Sequence, residues 1–200
     1  MDGSCVTPSA FEKLYREAKQ CRLCQGHFPD HDPRPIFLAA PDAKVLIVGQ
    51  APGRRVHDTG IPWNDLSGDT LREWMGVARA RFYDPANFAI LPMAYCYPGT
   101  EKGKGDRPPP AVCAPTWHPR FLEHIHPELY LLIGRYAHAY YLGGTDSVSS
   151  IVRQWETHLE VGYFPLPHPS PRNRKWVSDR PWFSEECIPM LRKCIARHID

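Results

Sequence analysis

Lys44-Val45-Leu46-Ile47-Val48-Gly49-Gln50-Ala51-Pro52-Gly53 is an unbroken apolar, largely β-branched run that stops at a turn built from glycine and proline. A strand that is apolar at every position has both faces covered, as in a parallel sheet with helices above and below. The tail Gly49 to Gly53 then reads as a loop leaving the carboxyl end of that strand. Glycines let a backbone approach a ligand closely, and proline fixes the turn.

Working outward, three more segments read as buried strands: Phe88 to Met93, Leu129 to Ile133 and Val161 to Leu166. Helical spacing of apolar residues predicts helices between them. One runs over Ser67–Arg81 with Ser67 as N-cap, and others cover about 110–126, 135–142 and 147–157. An amphipathic helix over 8–20 precedes the first strand, and a last helix spans about 182–198. Strands alternating with helices predict an α/β fold: a single domain of three α/β/α layers around a central four-stranded parallel sheet. In such sheets ligands bind beyond the carboxyl ends of the strands. The 49–53 loop and His168-Pro169-Ser170-Pro171-Arg172-Asn173 both leave those ends, so they are expected to share one crevice.

Composition sets the outer limits. With 42% hydrophobic and 23% charged residues the chain is globular, and no apolar stretch is long enough to span a bilayer. The start lacks a basic region followed by an apolar one, so a cytoplasmic location and no membrane partner are expected. A net charge of +2 does not by itself indicate nucleic acid. Its distribution is more telling, because Lys102, Lys104 and Arg107 share one loop and Arg172, Arg174 and Lys175 another, each able to meet phosphates.

Seven cysteines without a secretory signal argue against a disulfide framework. Cys21 and Cys24 form a C-x-x-C pair, and Cys96 and Cys113 bracket a loop rich in proline and glycine. Four thiolates so arranged could complete a tetrahedral zinc site or cap an iron–sulfur cubane, and spacing alone does not choose. Cys187 and Cys194, on the last helix, read as buried thiols, and Cys5 as a free thiol in a mobile tail.

Taken together, Cys21-Arg22-Leu23-Cys24, Gly49-Gln50-Ala51-Pro52-Gly53, Gly60-Ile61-Pro62-Trp63, Cys96, Cys113 and His168-Pro169-Ser170-Pro171 resemble, in order, the motifs of the iron–sulfur class of uracil-DNA glycosylases. Leu132-Ile133-Gly134-Arg135 is similar to that family's strand-to-helix turn. His168 to Asn173 looks more like the single-strand-selective branch. The resemblance implies a DNA glycosylase of base-excision repair, a monofunctional enzyme and a monomer, acting on DNA that contains a deaminated base such as uracil. It implies a [4Fe–4S] cluster on Cys21, Cys24, Cys96 and Cys113, with zinc as the alternative. It also implies a base pocket floored by Gly49, Ala51, Pro52 and Gly53 and stacked by Trp63. His168 would stabilise the departing base, while Ser170, Arg172 and Asn173 would sit in the loop that grips the DNA strand. Candidates for orienting water are Gln50, His57 and Asp58.

The chain departs from the family pattern in two places. Gln50 replaces an acidic residue, and Val56 and His57 stand where further acidic residues are found, leaving Asp58 or Asp65 to supply a carboxylate. Pro92 occupies the position of the asparagine that reads the uracil edge and has neither an N–H nor a polar side chain. Another lesion such as hypoxanthine, or a non-catalytic module binding DNA or a partner, is the alternative.

Overall fold

In the computed structural model, which describes residues 8–28, 31–101, 103 and 105–199, the chain forms helix α1 (Ala10–Lys19), strand β1 (Val45–Val48) and helices α2 (Arg54–Thr59), α3 (Leu66–Met75) and α4 (Arg79–Phe82). Strand β2 (Phe88–Ile90), the short hairpin β3 (Thr100–Glu101) and β4 (Gly105–Asp106), and helix α5 (Cys113–Leu122) follow. The last third holds β5 (Leu129–Ile133), α6 (Arg135–Tyr141), α7 (Val148–Arg153), α8 (Trp155–Leu159), β6 (Tyr163–Leu166), α9 (Arg174–Ser178) and α10 (Ile188–Ile199). Cys5, Lys102 and Lys104 lie outside the described residues.

The central sheet is four-stranded and wholly parallel, in the order β2-β1-β5-β6. The α/β fold predicted from the sequence is thus the fold observed. Alternate strand residues divide between two cores. Val45, Ile47, Phe88, Ile90, Leu131 and Phe164 pack on one side with α3, α8 and α10. Leu46, Val48, Ala89 and Leu132 pack on the other with α1, α5 and α6. Each such side chain, withdrawn from water, contributes roughly 1.5–3 kcal/mol, which is why every position of β1 is apolar. No helix among the described residues is long and apolar enough to cross a membrane.

Strand order reverses between β1 and β5: the chain leaves β1 toward β2 on one side and returns to β5 on the other. A crevice opens at such a switch point, bordered by the loops that follow β1, β2 and β6.

Several element boundaries differ from expectation. The helix predicted over Ser67–Arg81 is two helices, because Gly76 adopts φ 67° and ends α3. Its N-cap is Asp65, whose Oδ1 accepts from the Gly68 N–H at 2.8 Å, and not Ser67. The 147–157 helix is likewise divided, into α7 and α8. Strand β2 stops at Ile90 because Pro92 cannot donate to a ladder. Pairing nonetheless continues past it, with the Met93 and Ala94 amides donating to the Gly49 and Gln50 carbonyls at 2.8 and 3.1 Å.

Candidate active site

At the switch point lies a cleft of about 610 Å³. Gly49, Gln50, Ala51, Pro52, Gly53, Trp63, His168, Ser170, Arg172 and Asn173 all line it. Two expected members do not. His57 faces away from the cleft on α2, packed against His31 with ring centroids 4.8 Å apart, and Asp58 is exposed beside it. Both sit one to two helical turns beyond the loop, where α2 carries their side chains off the cleft. Neither joins the residues that the fold gathers in the cleft.

The floor is set by local backbone geometry. Because the Gly49 and Gln50 carbonyls are turned to Met93 and Ala94, the trans peptides point the Gln50 and Ala51 amides the opposite way. The Gln50 side-chain amide donates to the Arg107 carbonyl at 3.4 Å, tying the hairpin segment to the floor. A glutamate could not make that bond, which gives a physical reason for glutamine here. Pro92 also lines the cleft and presents only its ring, since its carbonyl is held by the buried His118 Nε2 at 3.1 Å.

Trp63 forms one wall, its ring centroid 5.8 Å from that of His168. It is the only non-glycine residue at positive φ among those described, at 56°, a conformation that costs energy and needs support. Its neighbours supply that support. The Arg72 guanidinium donates to the Trp63 carbonyl at 3.1 Å and the Tyr83 hydroxyl to the Pro62 carbonyl at 2.8 Å. Arg72 is only 6% exposed and is ion-paired with Asp69. Gly49 leaves room beneath the indole, since a Cβ there would come within 2.7 Å of Trp63 Cζ2.

His168 is braced from behind. The Asn173 amide donates to its carbonyl at 2.8 Å, and the Ser170 hydroxyl accepts from the Arg172 N–H at 3.2 Å, shaping the turn between them. Gly134, at φ 79°, lets the chain turn from β5 into α6 beside His168. Burial lowers the imidazole pKa, an effect opposed by the carboxylates of Asp65 and Asp106. A neutral ring can still donate one N–H to a ligand oxygen.

The cleft contains residues the motifs did not reveal. Ser67, Thr100 and Asp106 line it, and Arg72 and Tyr83 act behind it. Arg72 had a faint signal, as a charge next to the apolar Leu71 and Met75. Asp106 had none, because its position depends on a hairpin closing through space.

A second, small pocket is lined by Cys21, Cys24, Cys96 and Cys113, with Phe28, Pro33, Pro35 and Tyr95 among its walls. Burial pushes the Cys96 and Cys113 thiols up to about 12, and the neighbouring Cys21 and Cys24 add to both shifts. Backbone amides offset this in part: the Tyr95 N–H donates to Cys113 Sγ at 3.4 Å, and the Arg34 amide reaches Cys96. Four thiols lining one apolar pocket with amide donors supply the ligand type of a thiolate-bound centre, whose positive charge would hold them deprotonated. Among the described residues, no three His, Cys, Asp or Glu side chains are gathered as ligands of a single ion. Cys187 is buried within the core and Cys194 packs against it, away from this pocket.

The profile of the Uracil DNA glycosylase superfamily matches residues 36–192. The chain belongs to that superfamily. Uracil DNA glycosylase superfamily members are in general hydrolases that act on DNA. The matched span contains the whole sheet and every cleft-lining residue named above, together with Cys96 and Cys113. It begins after Cys21 and Cys24.

Proposed function

We propose that this superfamily member is a monofunctional DNA glycosylase that hydrolyses the N-glycosidic bond of a flipped, deaminated base, uracil first among them, and leaves an abasic site for base-excision repair. The observation that carries the reading is the convergence of the 49–53 loop, Trp63 and His168 on one cleft large enough for a base. The backbone amides of Gln50 and Ala51 donate to base carbonyls, and Trp63 covers the ring face. As the glycosidic bond breaks, its electron pair moves onto the base, and His168 donates a hydrogen bond to the oxygen where that charge gathers. Ser170, Arg172 and Asn173 hold the loop against the strand, with Arg172 and the exposed Arg174 and Lys175 meeting phosphates. Arg107 would add to that contact, as would Lys102 and Lys104 by the charge of their loop alone.

Cys21, Cys24, Cys96 and Cys113 would hold a [4Fe–4S] cluster rather than zinc, as the likeness to the iron–sulfur class suggests. Bound there, it would cross-link the N-terminal segment, the 97–112 loop and α5. Pro92 bears on the choice of base: without an amide at that wall the cleft discriminates less sharply between uracil and related lesions such as hypoxanthine.

The test uses anaerobically purified protein and labelled oligonucleotides carrying uracil, hypoxanthine or xanthine, with alkali to cut at abasic sites. Strand cutting at one lesion, abolished by His168→Ala, is expected. Binding of DNA without cutting at any of them, by protein with a full complement of iron, would replace the enzyme with a DNA-binding module.

A further inference from the structure

Two carboxylates face the cleft. Asp106, on β4, is oriented by its own hairpin: the Thr100 hydroxyl donates to its Oδ1 at 2.9 Å, and Thr100 Oγ1 is itself hydrogen-bonded to the Tyr97 hydroxyl. That leaves Oδ2 as the oxygen nearest Gly53, 3.6 Å from where a Cβ would stand. Asp65, at the start of α3, is preset in the same manner. Its Oδ1 caps α3 and its Oδ2 lies 4.0 Å from the same point. The missing side chain of Gly53 thus creates a niche flanked by two carboxylate oxygens, each preset by a hydrogen bond to its partner oxygen.

Carboxylates turned into a cleft that must accept a polyanion oppose binding. Such a placement becomes favourable where positive charge appears during reaction, and cleavage of an N-glycosidic bond places that charge on the sugar. The other candidates serve this task less well: Gln50 carries no charge and is tied through Nε2 to the Arg107 carbonyl, and His57 and Asp58 do not line the cleft.

We propose that Asp106 is a further catalytic residue, an inference that rests on the glycosylase reading above. Its Oδ2 holds the attacking water and offsets the sugar's positive charge, with Asp65 as the second carboxylate of the niche. The water oxygen bonds to C1′ as the C1′–N bond breaks, and that bond's electron pair leaves with the base. The water proton passes to Asp106 and on to solvent, and the base anion takes a proton from solvent.

The experiment is single-turnover cleavage of the oligonucleotide the wild-type protein cuts best, with DNA affinity measured alongside. Asp106 is exposed on a two-residue strand, so Asp106→Asn leaves the core intact. Its rate constant is expected to fall about 100-fold with affinity unchanged or tighter. Thr100→Val, which keeps the carboxylate but removes the hydroxyl that orients it, is expected to fall about tenfold, by analogy with displaced catalytic groups. An Asp106→Asn rate within about threefold of wild type, or a loss matched by weakened DNA binding, overturns this inference and leaves the glycosylase reading standing. A wild-type protein that cuts no lesion overturns both.

Discussion

Gly68 lies directly beneath the carbonyl of Trp63: a Cβ at residue 68 would stand 1.8 Å from that oxygen and 2.6 Å from its carbon. In the first turn of an ordinary helix, glycine to alanine is a gain of up to about 1 kcal/mol. Here the sign reverses. Gly68→Ala is expected to lower stability by about 2 kcal/mol, seen in chemical denaturation, and to lower cleavage further by displacing Trp63. A stabilised variant would show that the 62–68 turn is free to shift.

Tyr83 holds that turn from the other side through the Pro62 carbonyl. Tyr83→Phe removes one hydroxyl and should cost about 1 kcal/mol of stability. Because Trp63 is at positive φ, the same variant should lower kcat severalfold with little change in KM. An equal change in both parameters would point to substrate binding instead.

Gln50→Glu puts a carboxylate against the Arg107 carbonyl that Gln50 now donates to. The expected outcome is a looser hairpin, read as faster proteolysis within residues 97–107, and slower cleavage. Cleavage at or above the wild-type rate would mean that the tie to Arg107 has no bearing on the site.

Acid should destabilise the fold through two buried histidines. The Pro92 carbonyl can only accept, so His118 Nε2 carries the proton and Nδ1 accepts from the Tyr141 hydroxyl at 2.8 Å. His138 likewise donates to the Leu132 carbonyl at 2.9 Å. Burial holds both pKa values at about 4, below the ordinary 6.5. The unfolded chain therefore binds more protons between these values, and stability falls as pH drops from about 6.5 toward 4. Above that window the contribution is complete, and the loss approaches roughly 3 kcal/mol per histidine. Denaturation midpoints across that range check it, with His118→Gln expected to flatten the curve.

Asn173 braces His168 through its carbonyl. Asn173→Ala should cut the cleavage rate about tenfold while leaving the melting temperature within a few degrees, since the residue lies outside both cores. Unchanged cleavage would assign the brace no part in placing the imidazole.

Much of this molecule was legible before any coordinates. The run Val45 to Val48 read as a doubly covered strand, because it is short, apolar at every position, rich in β-branched residues and stopped by glycine and proline. The sequence placed the 49–53 loop and the His168 segment at strand ends, and a parallel sheet brings such ends together. Local signals of this kind depend on neighbours in sequence, so they survive in a string of letters.

Tertiary structure decided the rest. Whether α2 turned His57 and Asp58 toward the cleft or away depended on its packing, and it turned them away. Ser67 lost its capping role to Asp65, which stands just before α3 and accepts from the Gly68 N–H, whereas Ser67 lies within the helix. Asp106 reaches the cleft only because a hairpin far along the chain folds over Gly53, and Arg72 and Tyr83 matter only because Trp63 stands in a conformation that must be held. Contacts between residues distant in sequence leave no periodicity and no fixed spacing. Only the folded chain, by satisfying its backbone and filling its cores together, determines them.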